Sequence, residues 1–283
     1  MLWYNGKLID AKDATFDVAD RGLLLGDGLF ETLAAFNFIP FRLDAHLERM
    51  MASAERLGMG LDREALQEAV LAVAELDNAP CVIRLNVSRG AGPRGLLPPE
   101  TTNPLIFATR APWQRSIAFG EATLATVSIR RNPTSPTSSM KTLAYLDPVL
   151  SLQEARAKGA DDALLLSPTG SIACTSMANL FILNQNRLST PALDGNILPG
   201  IMRRALLEVA PHLGLDVSEG DCSLEELRKA DLVMASNSVR LITKITQIDG
   251  KAVSVHSMAR WAAFTDEITK LISKECGGFT LSR

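Results

Sequence analysis

The sequence has little of what disulfide frameworks, metal centres and nucleic-acid interfaces require. Its four cysteines, Cys81, Cys174, Cys222 and Cys276, are widely spaced, and its three histidines are not clustered. We therefore expect neither a disulfide framework nor a metal site. Basic residues are not in excess, because 29 lysines and arginines stand against 32 aspartates and glutamates, for a formal net charge of −3. This balance does not indicate nucleic-acid binding, and it favours small-molecule partners.

Long apolar runs and a signal sequence are also missing. No apolar run reaches the length that crosses a bilayer, and the first residues lack the charged-then-apolar order of a signal peptide. We therefore expect a cytoplasmic protein with no membrane partner. With 283 residues, 47% hydrophobic and 22% charged, the chain can bury a sizeable core in one large or two moderate domains.

Alternating strand-like and helix-like segments predict a mixed α/β (α+β) fold. An Asn-Gly turn joins a first strand pair at 3–9, and strand-like runs follow at 29–36, 81–88, 105–109, 122–130, 163–166, 171–174, 180–183 and 231–235. Helical spacing predicts helices at 44–57 with Asp44 as the cap, and at 62–76, 143–158, 199–209 and 253–276. Residues 112–121 are the candidate linker, so we expect an N-terminal domain at 1–115 and a C-terminal domain at 122–283.

One lysine, Lys141, stands between a strand-like run and a helix-like segment. Burial at such a junction would lower the pKa of the amine and leave it free to attack a carbonyl, as a Schiff-base role requires. Most lysines are instead solvated surface charges, and this stretch alone favours that ordinary interpretation.

Three arginines offer charge for an anionic ligand. Arg49 lies on a helix stripe next to the apolar one, so it points either into a cleft or to the surface. Arg89 and Arg94 lie in a glycine-rich loop that can clamp a carboxylate. The alternative for that loop is a flexible hairpin with solubilising charges, and the loop alone favours this alternative.

Two later segments are candidate anion sites. Between Asn196 and Arg204, Pro199 opens a helix whose first N–H groups and positive dipole suit a phosphate. Pro-Gly helix starts are also common in proteins that bind no anion. The second segment, 236–238, reads as a short polar turn that can supply hydroxyl and amide donors.

Together these segments resemble the class IV aminotransferases, the fold-type IV enzymes that depend on pyridoxal 5′-phosphate (PLP). The family includes branched-chain and D-amino-acid aminotransferases, R-selective amine transaminases and aminodeoxychorismate lyase. The resemblance covers nearly the whole chain and rests on the order and spacing of 26–31, Arg49, Lys141, 179–181, 198–201 and 236–238.

The resemblance implies a small N-terminal α/β domain, a larger C-terminal α/β barrel-like domain and PLP between them, in a homodimer. Lys141 would hold PLP as a Schiff base and carry the proton between the substrate Cα and the C4′ atom. Tyr145 would reach the phenolic oxygen, and Phe30, Arg89 and Arg94 would bind the substrate. The implied phosphate ligands are Arg49, Gly200, Ile201, Met202, Ser236, Asn237 and Ser238.

The chain departs from the family pattern at Cys174, where members usually have a glutamate that pairs with the ring nitrogen of PLP. A thiol is a weak donor and a weak acceptor, so the electron sink should be poorer unless Cys174 is a thiolate or another group compensates. The alternative is a small buried residue in a repacked wall. Met202 stands where a threonine is frequent, which is a milder departure.

The resemblance leaves three functions open. The first is an aminotransferase that moves an amino group between a small amino acid or amine and a 2-oxo acid. The alternative is an aminodeoxychorismate lyase, which releases pyruvate and p-aminobenzoate. The remote alternative is a non-catalytic protein that binds a phosphate ligand, but it would leave Lys141 unexplained.

Overall fold

The computed structural model describes residues 1–194, 197–253 and 257–281. The chain divides into two compact units, each with its own sheet. The first unit contains Met1–Gln114, Met140–Ala144 and the residues from Ile272 onward, and the second contains Arg115–Ser139 and Tyr145–Leu271. The domain limits expected from the sequence, 1–115 and 122–283, stay a prediction, and residue 283 lies outside the described residues.

The first unit is built on an antiparallel six-stranded sheet of order β2-β1-β6-β5-β3-β4. Its strands are β1 (Leu2–Tyr4), β2 (Lys7–Ile9), β3 (Gly28–Phe36), β4 (Ile39–Pro40), β5 (Cys81–Ser88) and β6 (Leu105–Pro112). Its helices are α1 (Arg21–Leu25), α2 (Leu43–Arg56) and α3 (Arg63–Ala74). Helices α2 and α3 bury apolar stripes against the sheet, with Leu47, Leu66 and Val70 packed in one core with Leu33 and Ile83.

The predicted cap of α2 is wrong. Arg42 occupies the N-cap position with φ 57° and makes no side-chain cap hydrogen bond, whereas Asp44 lies in the first turn and pairs with Arg63. The chain enters α2 through a left-handed residue, so Asp44 is already helical. The predicted stop is confirmed, since Gly58 follows the helix with φ 60°.

The second unit is built on a mixed nine-stranded sheet of order β12-β11-β10-β13-β14-β7-β8-β9, with β15 paired to β14. Its strands are β7 (Glu121–Arg130), β8 (Asp162–Leu166), β9 (Ile172–Thr175), β10 (Asn179–Asn184), β11 (Arg187–Pro191), β12 (Asp216–Gly220), β13 (Leu232–Asn237), β14 (Leu241–Ile248) and β15 (Lys251–Ala252). The remaining helices are α4 (Leu146–Ala157), α5 (Ile201–Val209), α6 (Leu224–Arg228) and α7 (Met258–Glu275). The two sheets with their helices confirm the predicted mixed α/β class.

Two helices begin later in the structure than the sequence predicts. Helix α4 begins at Leu146 rather than Leu143, because Lys141 and Leu143 extend along β3 and exchange backbone hydrogen bonds with it. Helix α7 begins at Met258, and residues 254–256 of the predicted 253–276 helix lie outside the described residues. None of the described helices combines the length and apolar character needed to cross a bilayer.

Candidate functional site

Lys141 lies in the first unit, held in extended backbone beside β3. Its Nζ is 4.1 Å from the centre of the Phe30 ring, and the Arg84 Cζ is 3.8 Å from the same ring. Burial lowers the pKa of Lys141 to about 8; the Glu31 charge opposes this shift, and the charges of Arg49 and Arg84 add to it. Near neutral pH the uncharged, nucleophilic form of this amine is therefore more populated than in an ordinary lysine, although the charged form still predominates.

A buried ionic network lies next to this lysine. Arg49 donates from Nε to Glu31 Oε1 at 2.8 Å and from Nη2 to Glu31 Oε2 at 2.6 Å. Burial alone would raise the pKa of Glu31, but the Arg49 charge and the contacts of His46 outweigh it and lower the pKa to about 2. Glu31 is thus ionised at any physiological pH and holds the Arg49 guanidinium side-on.

His46 completes the network from the same helix as Arg49. Its ring Nδ1 lies 2.7 Å from Glu31 Oε2, and its side chain is fully buried. Burial lowers the pKa of His46, which keeps the ring neutral at neutral pH although Glu31 opposes the shift. An ionised carboxylate only accepts hydrogen bonds, so Nδ1 carries the proton and donates it.

The expected substrate role of Arg89 is not supported by its geometry. Arg89 is buried and donates from Nε to Asp27 Oδ2 at 2.8 Å, from Nη2 to the Leu57 carbonyl at 2.8 Å and from Nη1 to the Gly58 carbonyl at 3.2 Å. The guanidinium of Arg89 therefore donates to one carboxylate and two backbone carbonyls of the protein itself. Arg94 is exposed, and its expected substrate contact stays a prediction.

Arg21 anchors the loop that carries Arg94. Arg21 pairs through Nε with Asp27 at 2.9 Å and donates from its Nη atoms to the carbonyls of Gly95 at 3.0 Å and Leu96 at 2.8 Å. These bonds anchor the loop at Gly95 and Leu96, next to Arg94, and the flexible-hairpin alternative stays untested.

In the second unit, the structure brings both predicted anion elements to one residue, Asn179. Its backbone pairs with Ser236 across β10 and β13, and its Nδ2 donates to the Leu198 carbonyl at 3.0 Å. A Cβ placed on Gly200 would lie 2.0 Å from Asn179 Oδ1, so this close approach requires glycine. Asn196, at the start of the same predicted segment, lies outside the described residues.

The start of α5 and the side chain of Ser236 both suit an anion. Gly200 is the N-cap of α5 and provides no side-chain hydrogen bond to the first N–H groups, which belong to residues such as Ile201 and Met202. Among the described residues, the Ser236 hydroxyl is one of the few buried polar groups without a hydrogen-bond partner. A phosphate at this place would satisfy donors that are costly to bury unpaired, so these residues fit the phosphate of PLP.

The predicted polar turn at 236–238 is partly a strand. Ser236 and Asn237 end β13 in register with Ile242 and Leu241, and the turn begins only at Ser238. Asn237 accepts hydrogen bonds at its Oδ1 from the backbone amides of Val239 and Arg240, which lie in the turn. This side chain therefore fixes the turn, and its expected phosphate contact stays a prediction, as does that of Ser238.

Cys174 lies in β9 and is half-buried. Burial raises the pKa of the thiol to about 11; Arg131 opposes the shift, and Asp162 adds to it. The thiol is therefore neutral at physiological pH, which removes the thiolate alternative. Tyr145 is the N-cap residue of α4 rather than a residue one helical turn beyond Lys141, and its cofactor contact stays a prediction.

Sequence reasoning missed the roles of Glu31, His46 and Asn179. The sequence did carry an indication for Glu31, which is the sole charged residue of the mostly apolar strand β3. A charge in the middle of a buried strand implies a buried partner of opposite sign. In the described part of the chain, no group of acidic, histidine or cysteine side chains could hold a metal ion.

Comparison with known proteins identifies the family of this chain. The model of the amino-transferase class IV family matches residues 28–248. A protein of Methanocaldococcus jannaschii, assigned provisionally as a branched-chain-amino-acid aminotransferase, is 34% identical over 257 residues, which are 89% of each chain. D-alanine aminotransferase of Listeria monocytogenes is 31% identical over 278 residues, 94% of this chain and 95% of its own.

The crystal structure of 4-amino-4-deoxychorismate lyase from Pseudomonas aeruginosa superposes with a TM-score of 0.82 at 30% identity, over 95% of this chain and 98% of that one. The fold and the matched motifs thus define a fold-type IV enzyme. The chain belongs to the class IV aminotransferase family, whose members are PLP-dependent aminotransferases and lyases.

Proposed function

We propose that the chain is an aminotransferase that moves an amino group between a small amino acid or amine and a 2-oxo acid, with Lys141 covalently holding PLP. The observation that carries this proposal is the half-buried Lys141 beside Phe30, whose amine has its pKa lowered to about 8, in a chain of the class IV family. The non-catalytic alternative gives no reason to bury a lysine beside Phe30, Arg84 and Arg49.

The phosphate of PLP would be held by Arg49, by the N–H groups at the start of α5, and by the side chains around Ser236. When bound, PLP withdraws electrons from the substrate Cα and makes its proton acidic. After the amino substrate has displaced Lys141 from the cofactor, the freed Lys141 amine would accept that proton and return it at the C4′ atom. The Phe30 ring beside Nζ would limit the directions from which this amine can act.

We further propose that the protein is a homodimer. Several large apolar side chains of the first unit are exposed, among them Val18 at 80%, Leu23 at 66%, Leu96 at 82% and Leu97 at 85%. Arg21 joins the two segments that carry Leu23 and Leu96, because it lies in α1 and donates a hydrogen bond to the Leu96 carbonyl. A single copy would leave this surface in water, whereas a second copy would cover it. The cytoplasmic location stays a prediction from the sequence.

Aminodeoxychorismate lyase is the second candidate. The specific observation in its favour is the TM-score of 0.82 with such a lyase, which is 30% identical to this chain. The same lysine would take the α proton in both reactions, so Lys141 does not distinguish them.

One assay separates the two candidates. Protein loaded with PLP is incubated with aminodeoxychorismate, and pyruvate release is measured. In parallel, D-amino acids, L-amino acids and R-amines are screened for conversion of the pyridoxal to the pyridoxamine absorbance. The proposal expects that at least one amino donor converts the pyridoxal form to the pyridoxamine form. It also expects that aminodeoxychorismate yields no more than one pyruvate per protein chain. Multiple-turnover pyruvate release without conversion by any donor would establish the lyase instead.

A further inference from the structure

Glu31 has both carboxylate oxygens occupied in a buried setting. Oε1 accepts from Arg49 Nε, and Oε2 accepts from Arg49 Nη2 and from His46 Nδ1 at 2.7 Å. The Glu31 side chain is 1% exposed and that of Arg49 is 9% exposed. A bidentate pair of this kind fixes the plane of the guanidinium as well as its distance.

The backbone reinforces this geometry. His46 and Arg49 lie three positions apart on α2, so they present one face of the helix to Glu31. Glu31 lies in the middle of β3, paired on one side with Leu85 of β5 and therefore unable to move independently of the sheet. The carboxylate thus connects a rigid strand to a rigid helix, and Arg49 has one orientation in which both of its hydrogen bonds to Glu31 are kept.

We infer that Glu31, supported by His46, is a positioning residue that holds Arg49 in the orientation needed to bind the phosphate group of the cofactor. This inference rests on the proposed function, in which Arg49 is a phosphate ligand. Arg49 would touch the phosphate, whereas Glu31 and His46 would act only through Arg49. The chemistry recognised is a phosphate monoester dianion.

The sign of the effect separates positioning from simple electrostatics. Glu31 carries a negative charge beside Arg49, so removing that charge alone would strengthen the attraction between this region and a phosphate. Loss of positioning has the opposite effect, because the guanidinium then spends part of its time turned away. Glu31→Gln therefore weakens phosphate binding if Glu31 positions Arg49 and strengthens it if only charge matters.

The measurement is the ratio of the dissociation constants of the apoprotein for pyridoxal and for PLP, which differ only in the phosphate. We expect Glu31→Gln to reduce the preference for PLP about 10- to 100-fold, the range that corresponds to a charge-assisted hydrogen bond. Glu31→Asp keeps the charge but withdraws the carboxylate, so it should reduce the preference as well. A charge-only role expects no reduction in Glu31→Asp.

Asp27→Asn is the matched control. Asp27 also pairs with two arginines of the first unit, Arg21 at 2.9 Å and Arg89 at 2.8 Å, and its loss tests the general effect of breaking such a network. Its PLP-to-pyridoxal ratio should equal that of the parent. A thermal melt shows whether Glu31→Gln folds. If it does not, the ratio of dissociation constants is measured on Glu31→Asp and His46→Gln instead.

Three outcomes are distinguishable. If Arg49→Ala lowers the preference and the Glu31 and His46 variants also lower it, with no further loss when Glu31→Gln is combined with Arg49→Ala, the positioning role is supported. If Arg49→Ala lowers the preference and the Glu31 variants retain or raise it, the positioning role is overturned. If Arg49→Ala leaves the preference unchanged, the phosphate assignment within the proposed function fails as well.

Discussion

The backbone amide of Phe30 donates a hydrogen bond of 2.9 Å to the carbonyl oxygen of Lys141. A second bond of 2.9 Å runs from the Leu143 amide to the Gly28 carbonyl. Lys141 is therefore held as a short extended addition to β3 and is not part of α4. This pairing sets its side chain beside the Phe30 ring, where burial lowers the pKa of the amine.

Lys141 should be the lysine that reacts first with amine reagents in the apoprotein. With a pKa of about 8, its reactivity should rise through that pH, well below the range of an ordinary lysine. Lys270 is the control, because it is exposed and its hydrogen bond to Glu267 raises its pKa. Acetylation at graded pH followed by peptide mass spectrometry measures both sites. Equal pH profiles for the two lysines would contradict the lowered pKa.

Arg49→Ala should weaken cofactor retention and also destabilise the first unit. The lost contact with a dianion should reduce PLP affinity about 10- to 100-fold. Because Glu31 would then be a buried charge without its main partner, the free energy of unfolding should fall by about 3–5 kcal/mol. Arg63→Ala is the control, since its pair with Asp44 is largely exposed and should contribute less than about 1 kcal/mol. Dialysis of PLP-loaded protein and urea unfolding measure the two effects.

Gly200→Ala should disturb the anion element of the second unit. The added Cβ would meet Asn179 Oδ1 at 2.0 Å, so either the start of α5 or the Asn179 side chain must move. We expect weaker PLP retention and a fall in stability of about 1–3 kcal/mol. Gly120→Ala serves as the control, since nothing lies within 4 Å of its added Cβ. A Gly200→Ala protein with the affinity and melting temperature of the parent would show that the contact is not required.

Cys174→Glu should raise the rate of the transamination half-reaction. A carboxylate is a better partner than a neutral thiol for a protonated ring nitrogen, and Arg131 lies close enough to influence the charge at this position. If Cys174 instead only fills space, the new carboxyl group is buried unpaired at a cost of a few kcal/mol. Single-turnover kinetics with the best donor, together with a thermal melt, test this. A folded, PLP-loaded variant without a rate gain would remove Cys174 from the ring-nitrogen role.

Local patterns predicted much of the fold. Strand β5 was predicted with its observed bounds, Cys81–Ser88, and the helix predicted at 62–76 matches α3, Arg63–Ala74. Five strands, β4, β11, β12, β14 and β15, were not predicted, and neither were the short helices α1 and α6. Strand β12 is short and mostly polar, and it exists because β11 offers it a parallel partner. The start of α4 could not be predicted either, since long-range pairing with β3 overrides the helical spacing of residues 143–145.

In the candidate site, likewise, individual residues could be found from the sequence, but contacts between distant residues could not. The family resemblance singled out Arg49 and Lys141, because local context alone favoured a surface lysine and left the direction of Arg49 open; the structure places both in the first unit. The network of Glu31, His46 and Arg49, whose charges act on Lys141, could not be predicted without the sheet, because Glu31 and His46 are far from Lys141 in sequence. Arg89 shows the converse: a glycine-rich loop with two arginines suggests a ligand clamp, yet its guanidinium is consumed by Asp27 and two backbone carbonyls.

Covalent attachment of PLP to Lys141 is the central claim, and one measurement tests it most directly. PLP-loaded protein is reduced with borohydride, digested and mapped by mass spectrometry, with Lys141→Ala treated in parallel. The account predicts a pyridoxyl group on the peptide that contains Lys141 and none in the variant, which should stay folded. A pyridoxyl group on another lysine in the parent, or equal labelling of the variant, would contradict the account.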